Sequence, residues 1–238
     1  EEVGTGRNHE VDIALDPLEG TTITAKGMPN SLSVIAAAQR GGLLYAPDTY
    51  MNKIAVGGDF PDGIIDLDAT TKENMQNIAD AKKVPINEVT ACVLERSRHD
   101  SIIEDLRSIG AKIVLIPDGD VAGIIMTTQE HSSVDIYMGV GGAPEGVLAA
   151  AALQCIGGQM QTRLVINNED EKIRAEKIGI KDLNKKYSLD ELAHGDIIFS
   201  ATGVTEGTMV RGVRSNRNKY ITHSLVLRTG ESSSQYIE

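Results

Sequence analysis

The stretch Val11-Asp12-Ile13-Ala14-Leu15-Asp16-Pro17-Leu18-Glu19-Gly20-Thr21 decides how this chain reads. Its first five residues form a buried-strand pattern, and Asp16 sits where that strand runs out. Pro17 fixes its own φ and discourages helix at Asp16. Gly20 permits a turn that brings the backbone close to a ligand. Two carboxylates held at a strand end suit a hard divalent cation such as Mg²⁺, and Thr21 is placed to orient a water or meet a phosphate oxygen. Asp, Pro and Gly are also ordinary turn residues, so spacing alone leaves a plain strand exit open.

Outward from this segment, the chain has the dimensions of one large domain or two small ones, with 238 residues and ample length for a core. Lys and Arg number 23 against 34 Asp and Glu, a net charge of −11, the wrong sign for gripping a nucleic-acid backbone. With two Phe, six Tyr and no Trp, stacking platforms for single strands are lacking too. No apolar stretch approaches the roughly 20 residues needed to span a membrane, and no signal peptide opens the chain. Cys92 and Cys155 lie inside apolar runs and read as buried free thiols, which fits a reducing cytoplasm. The opening Glu1-Glu2-Val3-Gly4-Thr5-Gly6 lacks an initiator Met and leads almost at once into a core strand. It reads as the start of a fragment whose upstream part is missing.

Apolar runs and helix-period stretches alternate along the sequence. Strands are expected at Ser31–Ala38, Leu43–Ala46, Thr90–Leu94, Lys112–Ile116, Val134–Val140 and Thr162–Ile166. Helices are expected at Thr71–Lys83 (capped by Thr71), Asp100–Ile109, Val121–Thr128, Pro144–Cys155 and the charged stretch Glu169–Gly179. The segment around Gly57–Gly63 reads as turns. Ile197–Ser200, Met209–Val213 and Tyr220–Leu227 read as strands, with a hairpin turn at Asn216–Asn218. This alternation predicts a layered α/β fold with a parallel or mixed sheet. A division into residues 1–87 and 88–238 is weakly marked.

Three further loops follow strands, where ligand sites of α/β sheets collect. Pro117-Asp118-Gly119-Asp120 places two acids before a helix; they suit sugar hydroxyls or a metal, while Asp120 also suits a helix cap. Gly139-Val140-Gly141-Gly142-Ala143-Pro144-Glu145-Gly146 exposes backbone N–H groups to a phosphate. Its spacing is not a dinucleotide fingerprint, and no Walker Lys-Ser/Thr follows. Glu145 is either a first-turn acid favoured by the helix dipole or a third metal carboxylate. Glu95-Arg96-Ser97-Arg98-His99-Asp100 sets two guanidinium groups together in an acidic chain, suiting phosphate, although surface arginines are usually only solvated. His99 reads as a helix-start residue, and Tyr50 either hydrogen-bonds a phosphate or packs. No nucleophile elbow or Cys/His zinc pattern is present.

Asp16-Pro17-Leu18-Glu19-Gly20-Thr21 resembles the signature of the lithium-sensitive phosphatase superfamily, the inositol-monophosphatase-like sugar phosphatases. Tyr45-Ala46-Pro47-Asp48-Thr49-Tyr50-Met51, Arg98-His99-Asp100, Ile116-Pro117-Asp118-Gly119-Asp120-Val121-Ala122, Gly141-Gly142-Ala143-Pro144-Glu145-Gly146-Val147 and Ile198-Phe199-Ser200-Ala201-Thr202-Gly203-Val204-Thr205 follow in order. Together they look like a class II, bacterial-type fructose-1,6-bisphosphatase over nearly the whole chain. The resemblance implies an α-β-α-β-α sandwich, N-terminally truncated here. It implies Mg²⁺ or Mn²⁺ on Asp16, Glu19 and Glu145, and Thr21 helping to activate the attacking water. Contacts to the sugar bisphosphate would come from Glu19, Gly20, Thr21, Tyr50, Arg96, Ser97, Arg98, Asp118, Gly119, Asp120 and Gly142. The family often carries Lys where this chain has Arg96. An acidic Gly-Glu-Gly-Glu-type loop and another metal-binding Asp are expected upstream of Glu1. The resemblance also implies a cytoplasmic homo-oligomer, dimer or tetramer, serving gluconeogenesis and glycerol metabolism. Sedoheptulose 1,7-bisphosphate is an alternative substrate, and a non-catalytic sugar-phosphate-binding module is the alternative of another class.

Overall fold

The computed structural model describes residues 5, 6, 10–231 and 234–238; the opening Glu1–Gly4 lies outside them. The elements run β1 (Val11–Glu19), α1 (Thr21–Ala25), β2 (Leu32–Gln39), β3 (Tyr50–Gly57), α2 (Thr71–Lys82), β4 (Thr90–Leu94), α3 (Asp100–Ser108), β5 (Lys112–Ile116), α4 (Asp120–Ile125), β6 (Ile136–Gly142) and α5 (Ala143–Ile156). Then come β7 (Gly158–Val165), α6 (Glu169–Lys177), β8 (Tyr187–Ser188), α7 (Leu189–Leu192), β9 (Ile197–Gly203), β10 (Arg214–Asn216), β11 (Lys219–Ile221), β12 (Ser224–Arg228) and β13 (Gln235–Ile237).

Two sheets organise them. An antiparallel five-stranded sheet has the order β1-β2-β9-β12-β13, and a six-stranded sheet the order β5-β4-β6-β3-β7-β8. In the second sheet β4 pairs in parallel with β5 and β6, while β3 runs antiparallel to β6 and β7. The mixed α/β expectation therefore holds. Both sheets draw strands from each side of residue 87.

α5 lies between the sheets because its sequence is apolar on every side: Val147 through Leu153 are all buried. Such a helix has no face to offer water, and its run of four alanines, Ala149–Ala152, lets both sheets approach closely. One core joins α4 and α5 to Val34, Phe199, Leu225 and Leu227 of the first sheet and Met51, Met160 and Leu164 of the second. The opposite face of the six-stranded sheet, with Ile54, Val93 and Ile136, packs on Met75, Ile78, Ile103 and Leu106 of α2 and α3. Each fully buried side chain of this size contributes about 1.5–3 kcal/mol. Four of the five expected layers are thus seen. The outer face of the five-stranded sheet carries exposed Val11, Ile13, Leu15, Ile35 and Ile198, with no helix over it among the described residues.

Several local expectations are corrected. Leu43–Ala46 is not a strand but a single bridge from Leu43 to Ala193, and Met209–Val213 forms none. The cap of α2 is Thr70, not Thr71, in a reciprocal capping box with Glu73, which satisfies two backbone donors at once. The expected hairpin turn does join β10 to β11. The largest miss is β3, whose polar and glycine residues disguise a central strand of the six-stranded sheet. Among the described residues no helix is long and apolar enough to cross a membrane. Cys92 and Cys155 are free, and burial pushes the Cys92 thiol up to about 12.

Candidate active site

The site begins with an irregularity in β1. Asp16 pairs with Val34 but Glu19 with Leu32, so one extra residue is inserted between them. Pro17 offers no N–H to the ladder, which makes it a natural place for a bulge. The alternation sends Val11, Ile13 and Leu15 outward, and the inserted residue turns Glu19 inward, leaving it 4% exposed. The strand does not run out at Asp16; it is bent there and continues to Glu19. Asp16 caps its own turn by accepting from the Leu18 N–H at 3.0 Å. Gly20 then takes the left-handed conformation, φ 85°, and starts α1 with Thr21 exposed on its first turn. A Cβ on Gly20 would lie 2.7 Å from Ile23 Cδ1.

Topology supplies the rest. β4, β5 and β6 are parallel, so the loops after them open at one edge, and antiparallel β3 brings its first residue, Tyr50, opposite Gly142 at that same edge. Hydrogen bonds tie these loops together. The Thr22 N–H donates to Asp118 Oδ2 at 3.0 Å, and Arg96 Nη2 reaches Asp118 Oδ1 at 3.4 Å. Arg98 Nε donates to the Val140 carbonyl at 2.9 Å while its guanidinium lies 4.9 Å from the centre of the Tyr50 ring. The Val121 N–H, in the first turn of α4, donates to Glu19 Oε1 at 2.6 Å. Gly142 packs so closely on Glu145 that a Cβ there would lie 1.9 Å from Oε2. Glu145 occupies the first turn of α5, with a proline in the same turn, as the sequence suggested. Ser97 stands exposed at the start of a short 3-10 turn, Ser97–His99.

Asp120 corrects an expectation. The cap of α4 is Gly119, with φ 84° and no side-chain cap bond; the Asp120 carboxylate instead takes a hydrogen bond from Lys53 Nζ at 2.6 Å. Lys53, in the middle of β3, is wholly buried. Sequence reasoning missed it because the strand itself was missed. A single lysine inside the apolar run Ile54-Ala55-Val56 and its neighbours was the available signal.

The electrostatics are those of crowded acids. Burial, followed by the charges of Asp120 and Asp16, raises Glu19 well above the usual carboxylate range. Burial also raises Glu145, which feels Lys53, Asp120 and Asp16. Glu19 Oε2 is buried without a hydrogen-bond partner. Among the described residues no three His, Cys, Asp or Glu side chains gather into a cage sufficient for a metal ion. An oxygen donor set with an orphaned buried carboxylate oxygen nevertheless fits a hard cation that draws its remaining ligands from water and phosphate.

Comparisons with known proteins agree with this chemistry. The profile of the family described as "Bacterial fructose-1,6-bisphosphatase, glpX-encoded" matches residues 1–238. The chain is 40% identical, over 242 aligned positions, to "Fructose-1,6-bisphosphatase 1 class 2" of Escherichia coli K12, covering 96% of this chain and 71% of that protein. The "Fructose-1,6-bisphosphatase class 2" proteins of Escherichia coli O6:H1 and Shigella flexneri match to the same extent. With the profile matching from its first residue to its last and 40% identity to a class 2 relative, the chain belongs to the bacterial, glpX-encoded fructose-1,6-bisphosphatase family.

Proposed function

We propose that this protein hydrolyses the C1 phosphate of fructose 1,6-bisphosphate, giving fructose 6-phosphate and inorganic phosphate. The observation that supports the reading is that the bulged end of β1, with inward-turned Glu19, is hydrogen-bonded through Thr22 to Asp118 and through Glu19 to the Val121 N–H, and so joins the strand-end loops that carry Arg96 and Arg98. Asp16, Glu19 and Glu145 would hold Mg²⁺ or Mn²⁺. Such an ion, when bound, neutralises phosphate charge and makes water a better nucleophile.

The chain's own groups divide the remaining work. Arg96 and Arg98 offer planar forks to phosphate oxygens, and the Tyr50 ring, 4.9 Å from the Arg98 guanidinium, braces one of them. Asp118 and Asp120 accept hydrogen bonds from sugar hydroxyls. The backbone N–H groups at Gly20 and Gly142 face the phosphate that is cleaved. Thr21, exposed at the mouth of the bulge, holds the attacking water in line with the bond to the C1 oxygen. Water oxygen bonds to phosphorus, the bond to the sugar oxygen breaks, and a proton passes from water to the leaving alkoxide. No covalent enzyme intermediate is required.

Free Cys92 and Cys155 support a reducing, cytoplasmic setting. We also place the protein among homo-oligomers, which light scattering checks. The functional test is phosphate release by purified protein from fructose 1,6-bisphosphate, sedoheptulose 1,7-bisphosphate and inositol monophosphate with Mg²⁺ or Mn²⁺. Release from the first at the highest kcat/KM is expected. Preference for the second reassigns the substrate, and sugar-phosphate binding without release from any makes the chain a binding module.

A further inference from the structure

Lys53 is a costly side chain to bury: its side chain is 0% exposed, at the centre of the six-stranded sheet between Gly139 of β6 and Thr162 of β7. An ammonium removed from water loses several kcal/mol of hydration unless its partner is well placed. That partner is Asp120, at 2.6 Å and itself only 6% exposed. The fold clears space for the pair with two glycines. A Cβ on Gly141 would stand 1.9 Å from Asp120 Oδ2 and 3.2 Å from Lys53 Nζ, and one on Gly146 would stand 2.3 Å from Met51 Sδ and 3.2 Å from Lys53 Cε. Part of the glycine run is therefore shaped to the ion pair and not only to a phosphate.

The pair leads directly to the reacting edge. Asp120 opens α4, and the next N–H, that of Val121, donates to Glu19 Oε1 at 2.6 Å. The charge of Lys53 favours the ionised forms of both Glu19 and Glu145. The Tyr137 hydroxyl and Thr162 Oγ1 are buried without hydrogen-bond partners, and by strand alternation they share the Lys53 face of the sheet. This is a polar floor beneath the acids, and Lys53 is its cation.

We propose that Lys53 is a positioning residue of the sugar-phosphate site: its ammonium fixes the Asp120 carboxylate for substrate and, through the first turn of α4, holds Glu19 in place. The inference rests on the reading under Proposed function, in which Asp120 meets the sugar. A lysine serving only the stability of the fold would not couple to ligand affinity through Asp120.

The test is a double-mutant cycle of Lys53→Met and Asp120→Asn, read three ways: Tm, the Kd for fructose 6-phosphate by calorimetry without metal, and the KM–kcat split. Each single substitution leaves a buried charge unmatched and lowers Tm; the double variant regains most of the loss. Lys53→Met raises Kd and KM roughly tenfold or more while kcat falls less. Added to Asp120→Asn, it changes Kd no further. An unchanged Kd in Lys53→Met, or effects of the two substitutions on Kd that simply add, overturns the proposal. If Lys53→Met alone does not fold, the double variant against Asp120→Asn decides, with equal Kd supporting and a further loss contradicting. Wild-type protein that neither binds fructose 6-phosphate nor releases phosphate refutes the functional reading instead, and the Tm cycle still judges the pairing by itself.

Discussion

Beneath the site Lys53 meets Asp120 with side chains 0% and 6% exposed. On the rim of the same sheet, Lys186 reaches Asp66 at 2.6 Å and Asp68 at 2.9 Å, while Arg163 clamps Asp68 at 2.6 Å. The rim cluster has more hydrogen bonds, and Arg163 and Lys186 hold Asp68 down at about 2. Yet it lies in water, where screening and side-chain entropy cancel most of the attraction. The buried pair has one hydrogen bond and a large desolvation cost, so breaking it leaves a charge with nowhere to go. Number of contacts is a poor guide to consequence; what replaces a lost partner decides.

That contrast can be broken in order of size. Gly141→Ala drives a methyl group into the space of Asp120 Oδ2, 1.9 Å away. Overpacking of this kind costs about 1–3 kcal/mol, so chemical denaturation should show a lower midpoint that added salt does not restore. Sugar-phosphate affinity should fall with it. Arg98→Lys keeps the charge but loses the Nε bond to Val140 and the guanidinium over the Tyr50 ring. A rise in KM of roughly tenfold, about 1.4 kcal/mol, with little change in Tm is expected from steady-state kinetics and calorimetry.

His99 gives a pH-dependent intermediate case. It is buried, with Nδ1 2.8 Å from the Leu94 carbonyl and Nε2 accepting from the Val140 N–H at 2.7 Å, so it is a neutral latch between the arginine and glycine loops. Burial lowers its pKa. Below about 6.5, the ordinary value, the unfolded chain binds a proton that the folded one resists, and stability falls as pH falls, by at most about 1.4 kcal/mol per pH unit for one group. Once pH is below the lowered folded value the loss stops growing. Tm measured across this window should slope in wild-type protein and flatten in His99→Gln relative to it. The smallest effect is expected from Asp68→Asn on the rim, with Tm indistinguishable from wild type in about 0.5 M salt, where charges are screened over a few ångströms.

The strand-end loops were legible because their chemistry is local: an acid beside a proline, glycines before a helix, arginines after an apolar run. Glu145 could be placed from its helix start alone. What could not be read depends on neighbours distant in sequence. The residues of β3, Tyr50-Met51-Asn52-Lys53-Ile54-Ala55-Val56-Gly57, form a central strand because β6 and β7 flank them, and nothing local announces that pairing. Lys53 was lost with the strand. Asp120 read equally as a ligand-binding acid or a helix cap, since an acid there suits both, whereas Gly119 takes the cap and the carboxylate meets the lysine. The inward turn of Glu19 follows from a bulge that only pairing with β2 reveals.

The most direct test of the account concerns Thr21, exposed where the bulge meets α1. Phosphate release from fructose 1,6-bisphosphate and the Kd for fructose 6-phosphate should be measured side by side for wild type and Thr21→Ala. Turnover should drop roughly 100-fold or more, the scale of a lost positioning or proton-handling group, with Kd nearly unchanged. Near-normal turnover in Thr21→Ala would contradict a water held and aimed at this edge.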